Sequence, residues 1–113
     1  MTRNNLGNAL RDIGRLKMEA SMLKEAIDTY EEALKEYTRE RVPLQWVLAI
    51  GNQGIARMLL AALTKDLSIA EIACLQLEAA WSLERDGGHP RNANFYHERL
   101  LEARRLRALL KTR

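Results

Sequence analysis

Slid along itself by 47 residues, the chain places Asn5 on Asn52, Gly7 on Gly54, Ala9 on Ala56, Ala26 on Ala73, Glu31 on Glu78, Ala33 on Ala80 and Pro43 on Pro90. Most of these matches are Gly, Ala or Pro, the residues found where backbones approach closely or where a helix begins. Self-similarity at a period of tens of residues belongs to stacked units, each burying its apolar face against the next. That constraint governs the rest of the reading.

The unit is helical. Aromatics make up 5% of the 113 residues and only two prolines interrupt the chain, leaving Ala, Leu, Glu, Lys and Arg to carry it. A first helix is expected from about Thr2 to Arg15, with Gly14 near its frayed end. A second spans about Glu19 to Glu40, where Leu23, Ala26, Ile27, Tyr30, Ala33, Leu34 and Tyr37 share one face at spacings of three and four. Pro43 opens a third helix reaching about Leu63. Asp66 or Ser68 caps a fourth running to about Glu84. Gly87-Gly88 ends it, and Pro90 opens a last helix to about Leu110. The expected order is repeat one over 1–41, repeat two over 42–88 and a capping helix over 90–111, in a single all-α domain.

Gly7 and Gly54 let the first and third helices meet their partners near the lower limit of roughly 8–10 Å between helix axes. Ala26, Ala33, Ala73 and Ala80 face them, while Tyr30 and Leu77 fill the space beside the contact. This constellation, with Leu6-Gly7 and then Ala26, Tyr30 and Ala33, resembles the tetratricopeptide repeat family. The long unit looks like a bacterial variant with an enlarged repeat, since the family's usual unit is 34 residues. The resemblance implies an antiparallel hairpin stack, a fragment of a right-handed superhelix. It also implies a peptide or protein helix as partner, held in the groove lined by the first helices of each hairpin. In register, Leu101 takes the place of Gly7 and Gly54, and no helix follows to cross there, so the last helix reads as a cap.

Asn4, Asn8, Arg11 and Arg15 form one polar stripe on the first helix, whereas the equivalent positions of the third, Gly51, Ile55, Met58 and Ala62, offer no donors. A groove that is polar on one side and apolar on the other, with Ile55 and Met58 on its apolar wall, suits an amphipathic helix better than a charged tail. Arg99 lies at the helical angle of the cap's apolar residues Phe95, Ala103, Leu106 and Leu110, so a carboxylate from the fourth helix, Glu78 or Glu84, is expected beside it.

No nucleophile–base set, paired carboxylates or phosphate-cradling loop is legible, and His89 and His97 lack further metal-ligand partners, so the reading is non-catalytic, without cofactor or metal. Cys74 reads as a small buried apolar residue. No secretory signal is legible, Arg57 and Lys65 interrupt the most apolar region, and a cytoplasmic protein without membrane contact is expected. Residues 89–113 hold 7 Lys/Arg against 2 Asp/Glu, whereas residues 1–88 hold 11 against 13. Arg104, Arg107 and Lys111 share a face, but Arg91, Arg105 and Arg113 scatter, which makes nucleic-acid binding the weaker reading. The alternatives are a basic adaptor that contacts nucleic acid or acidic partners through the last helix, and a piece of a larger regulatory protein of the same family. Pro43 precedes Asn52 by nine residues but only four precede Asn5, so the first helix is expected to be the shorter. With Leu101 and Ala108 also uncovered on the cap's flank, self-association as a two-fold dimer is expected.

Overall fold

The computed structural model describes residues 2–112, so the readings that touch Met1 and Arg113 lie outside it. Five α-helices follow one another: α1 Arg3–Lys17, α2 Ala20–Glu36, α3 Pro43–Thr64, α4 Leu67–Asp86 and α5 Pro90–Lys111. Local chemistry sets their ends. The Thr2 hydroxyl accepts the Asn5 N–H at 3.1 Å, and Asp66, rather than Ser68, caps α4 by accepting the Ile69 N–H at 3.2 Å. Pro43 and Pro90 stand at the first positions of α3 and α5. α2 stops at Glu36 instead of Glu40 because Tyr37 turns extended and the Thr38 hydroxyl accepts the Arg41 N–H in the turn that follows. Gly88, at a φ of 77°, makes the left-handed step between α4 and α5.

Every helix packs on its neighbours in sequence. α1 also touches α3, and α3 touches α5, whereas α2 and α4 do not meet. The odd-numbered helices therefore form one layer and the even-numbered helices the other. α3 is the hub, contacted by all four other helices. By length and composition it is apolar enough to cross a membrane, contrary to the sequence reading of that region, yet more than half of it is buried within the protein. A helix packed on several sides needs apolar residues all round.

Eight of the nine repeat-signature residues are buried: Gly7, Ala26, Tyr30, Ala33, Gly54, Ala73, Leu77 and Ala80. Leu6, the ninth, is 43% exposed, so its side chain is not part of the core. A Cβ on Gly7 would lie 2.7 Å from the Tyr30 ring, and one on Gly54 would lie 3.1 Å from Leu77 Cγ. Tyr30 and Leu77 are themselves 47 residues apart, so the repeat register survives in three dimensions. Gly14 is no frayed end. It is buried, and a Cβ there would stand 3.0 Å from Leu23 Cγ.

A second device recurs, once between the layers and once within the odd-numbered one: a tyrosine seated on a Gly-Asn pair. The Tyr30 hydroxyl donates to Asn8 Oδ1 while its ring covers Gly7, and the Tyr96 hydroxyl donates to Asn52 Oδ1 at 3.3 Å while its ring covers Gly51. The Gly-Asn dipeptide thus occurs twice, each time seating a tyrosine. Two apolar clusters result, one of α1, α2 and α3 around Tyr30, the other of α3, α4 and α5 around Leu77 and Tyr96.

Tyr96 also fixes the rotation of α5, which differs from the sequence expectation. The buried face is Ala93, Tyr96, Leu100 and Ala103, and Phe95 is turned outward. Arg99 accordingly pairs with Glu102 at 3.2 Å and Glu98 at 3.6 Å on its own helix, while Glu78 lies 4.0 Å from Arg104 and Glu84 turns inward.

Between the layers, Gln53 is 1% exposed and fully satisfied. It donates to the Ile27 carbonyl and to Glu31, and accepts from Arg57 and Gln76. These bonds tie α2, α3 and α4 in one register, and a half-satisfied network there would be costly.

Two outcomes follow. Gly51→Ala forces a methyl into the fully enclosed Tyr96 ring, so chemical denaturation should show a loss of about 1–3 kcal/mol. The second concerns alkaline pH. Burial pushes the Tyr30 hydroxyl up to about 12 from the ordinary 10.0 and raises Tyr96 further still. The folded state holds protons that the unfolded chain releases, so stability is full below about pH 10 and falls as the pH climbs toward 12. Urea midpoints measured from pH 9 upward should show that decline, and Tyr30→Phe should flatten it, since phenylalanine cannot ionise in the unfolded chain.

Candidate functional site

The layer of odd-numbered helices encloses a cavity of about 290 Å³ lined by Arg11, Asp12 and Arg15 of α1, Ile55, Met58 and Leu59 of α3, and Phe95, Arg99 and Glu102 of α5. α1 and α3 contribute about one turn each and α5 about two. α3 supplies the apolar floor, with Ile55 and Met58 4 and 7 residues beyond the buried Gly51. α1 and α5 raise charged walls on either side.

Of the residues singled out from the sequence, Arg11, Arg15, Ile55 and Met58 meet in this cavity. Asn4 and Asn8 do not line it. Asn8 is engaged by the Tyr30 hydroxyl, and Asn4 Oδ1 is buried without a partner one turn earlier. Gly51 lies under Tyr96, and Ala62 is exposed elsewhere on α3. The α5 wall was missed because the sequence reading turned Phe95 and Arg99 toward α4. The signal that would have found it is the second Gly-Asn dipeptide, which pairs with Tyr96 as the first pairs with Tyr30.

The walls are not electrically balanced. Three guanidinium groups face two carboxylates. Arg11 keeps only 15% of its side chain exposed. Its Nε donates to Asp12 at 3.2 Å, while one of its terminal nitrogens is buried with no acceptor. Across the cavity the Arg99 guanidinium lies over the Phe95 ring at 5.3 Å, and its Nε is likewise buried without an acceptor. Buried donors left unpaired cost free energy that an incoming acceptor would recover. A carboxylate beside an apolar side chain is the group that suits both floor and walls.

The remaining candidates are scattered. His89 is the N-terminal flanking residue of α5 and makes no side-chain capping bond, while the His97 ring stacks on Trp81 at 4.7 Å. Among the described residues no three of His, Cys, Asp and Glu gather as a metal site. Cys74 is buried, and that burial raises its thiol above the ordinary range, which makes it a poor nucleophile. Arg104 is engaged with Glu78, leaving Arg107 and Lys111 as the rest of the basic face of α5. Compared with known proteins, the chain matches no family model, no curated sequence and no solved structure.

Proposed function

We propose that the chain is a non-catalytic interaction scaffold, a tetratricopeptide-like stack of two hairpins and a capping helix, that holds an amphipathic helix of a protein partner in the α1/α3/α5 groove. The observation that carries this reading is the cavity itself: an apolar floor of Ile55, Met58 and Leu59 between arginine-rich walls that retain two buried, unpaired donors. Its occupant presents an apolar face flanked by an aspartate or glutamate. The two-layer arrangement, with odd helices touching and even helices apart, supports the hairpin-stack part of the proposal.

Peptides selected for binding from a random helical library test it. Binders should carry Leu, Ile or Phe one turn from Asp or Glu. Phe95→Ala and Arg15→Glu, both at exposed groove positions, should each weaken them by about tenfold or more, as truncating a central interface residue does. Met58 is 7% exposed and serves the core, so a charge there would disturb folding as well as binding. Binders that ignore both groove variants yet are lost on Arg107→Glu, with a steep fall between low and moderate salt, would replace this reading with the basic adaptor.

The two-fold dimer belongs to the same proposal. Leu6 and Ile13 lie exposed on one side of α1, with Leu16 and Met18 beyond them, and Leu101 and Leu109 are exposed on α5. Light scattering behind a sizing column should give twice the 12.9 kDa chain mass at micromolar concentration. A constant monomer mass across a tenfold dilution series overturns it.

A further inference from the structure

Among the described residues two polar ones sit in the core, and they are treated very differently. Gln53 has all its bonding capacity met. Glu84 is 2% exposed, its Oε2 has no partner, and no ion pair among the described residues involves it. A buried carboxylate needs a compensating donor or cation, because stripping it of water without one is costly. His89 is on the same wall but is not within ion-pair reach, and the Tyr96 hydroxyl, which feels the Glu84 charge, is already donated to Asn52.

Glu84 helps line a separate cavity of about 260 Å³ where α3 begins and α4 ends, which shares no residue with the groove. Pro43, Leu44 and Val47 of the first turns of α3, Leu83 and Gly87 at the end of α4, and His89 complete its lining. Apart from Glu84 and His89 the wall is apolar. One carboxylate at an apolar cavity is a poor site for a hard divalent cation, which takes six or more oxygens. It does suit a group with a slim aliphatic stem and a charged end.

We propose that this cavity is a second binding site, for a primary alkylammonium group whose stem lies against Pro43, Leu44, Val47 and Leu83 and whose ammonium pairs with Glu84. The site is independent of the α1/α3/α5 groove. Two sources share its chemistry, a lysine side chain of another protein and a free small amine.

Titrating the labelled protein with n-butylammonium, N-acetyl-lysine N-methylamide and n-butanol, and following backbone amide shifts, tests this. The ammonium probe should move the amides of Leu44, Leu83 and Gly87 with a millimolar Kd, the range open to so small a ligand. Glu84→Gln should weaken it by about tenfold or more, as loss of a charge-assisted bond does. Leu44 stands half-exposed at the mouth, and Leu44→Trp should block entry without touching the carboxylate, which keeps the test decisive should Glu84→Gln fold poorly. Phe95→Ala, in the groove, should leave amine binding unchanged. Binding of both amines assigns the site to lysine, and binding of n-butylammonium alone assigns it to a free amine. Equal binding of n-butanol, binding indifferent to both variants, or no shift with either amine overturns the proposal.

Discussion

Everything in this structure depends on how closely α3 can be approached. Its two glycines three residues apart face different neighbours: Gly54 receives Leu77 of α4, and Gly51 receives Tyr96 of α5. A side chain at either position would hold the partner helix away and reopen the apolar clusters on both sides. Gly7 does the same for Tyr30 at the other end of the stack. Close approach removes apolar surface from water and brings many atoms into contact, and both gains vanish when axes separate by the width of a methyl group. The glycines thus do their work by size rather than by backbone freedom, since all three lie inside helices.

The hydroxyls give those contacts a register. A tyrosine ring over glycine could slide along the helix, but a hydroxyl bonded to the next residue, Asn8 or Asn52, cannot. Gln53, one position further along α3, adds bonds to both α2 and α4. α3 therefore specifies its neighbours through three consecutive residues, Gly51, Asn52 and Gln53, followed by Gly54. Buried polar groups that are fully paired discriminate against slipped arrangements, because any slip leaves them unpaired.

The groove is a by-product of that register. Once Tyr96 is seated on Gly51, α5 must turn Phe95 and Arg99 toward α1, and the cavity between them takes its mixed character from whichever residues then face inward. Arg11 and Arg99 end up with nitrogens that water no longer reaches and no protein acceptor meets. Glu84 is left in the corresponding position, with the opposite sign, at the far end of α4. A fold that satisfies Gln53 so thoroughly leaves these three charged groups open, two cationic and one anionic, besides the neutral Asn4 carbonyl on α1.

The all-helical fold class, the helix number and order, and the helix starts at Pro43 and Pro90 were legible in the residues, with the start of α4 narrowed to Asp66 or Ser68, because capping and proline geometry are local and act within a turn. The repeat at 47 residues was legible as well, since close packing demands small residues at fixed places and the pattern of Gly7, Ala26 and Ala33 records that demand directly. The early stop of α2 at Glu36 and the burial of Gly14 were not, because a frayed end and a packed one have the same composition. Least legible was the rotation of α5. Its apolar residues are spread so widely around the helix that more than one face could have been buried, and helical periodicity cannot choose among them. Only the tertiary structure decided, by offering a gap above Gly51 that fits one ring and a carbonyl on Asn52 that binds one hydroxyl. The sequence therefore determined which segments are helices and how they pair, while the arrangement of charge around the groove waited on a single long-range contact.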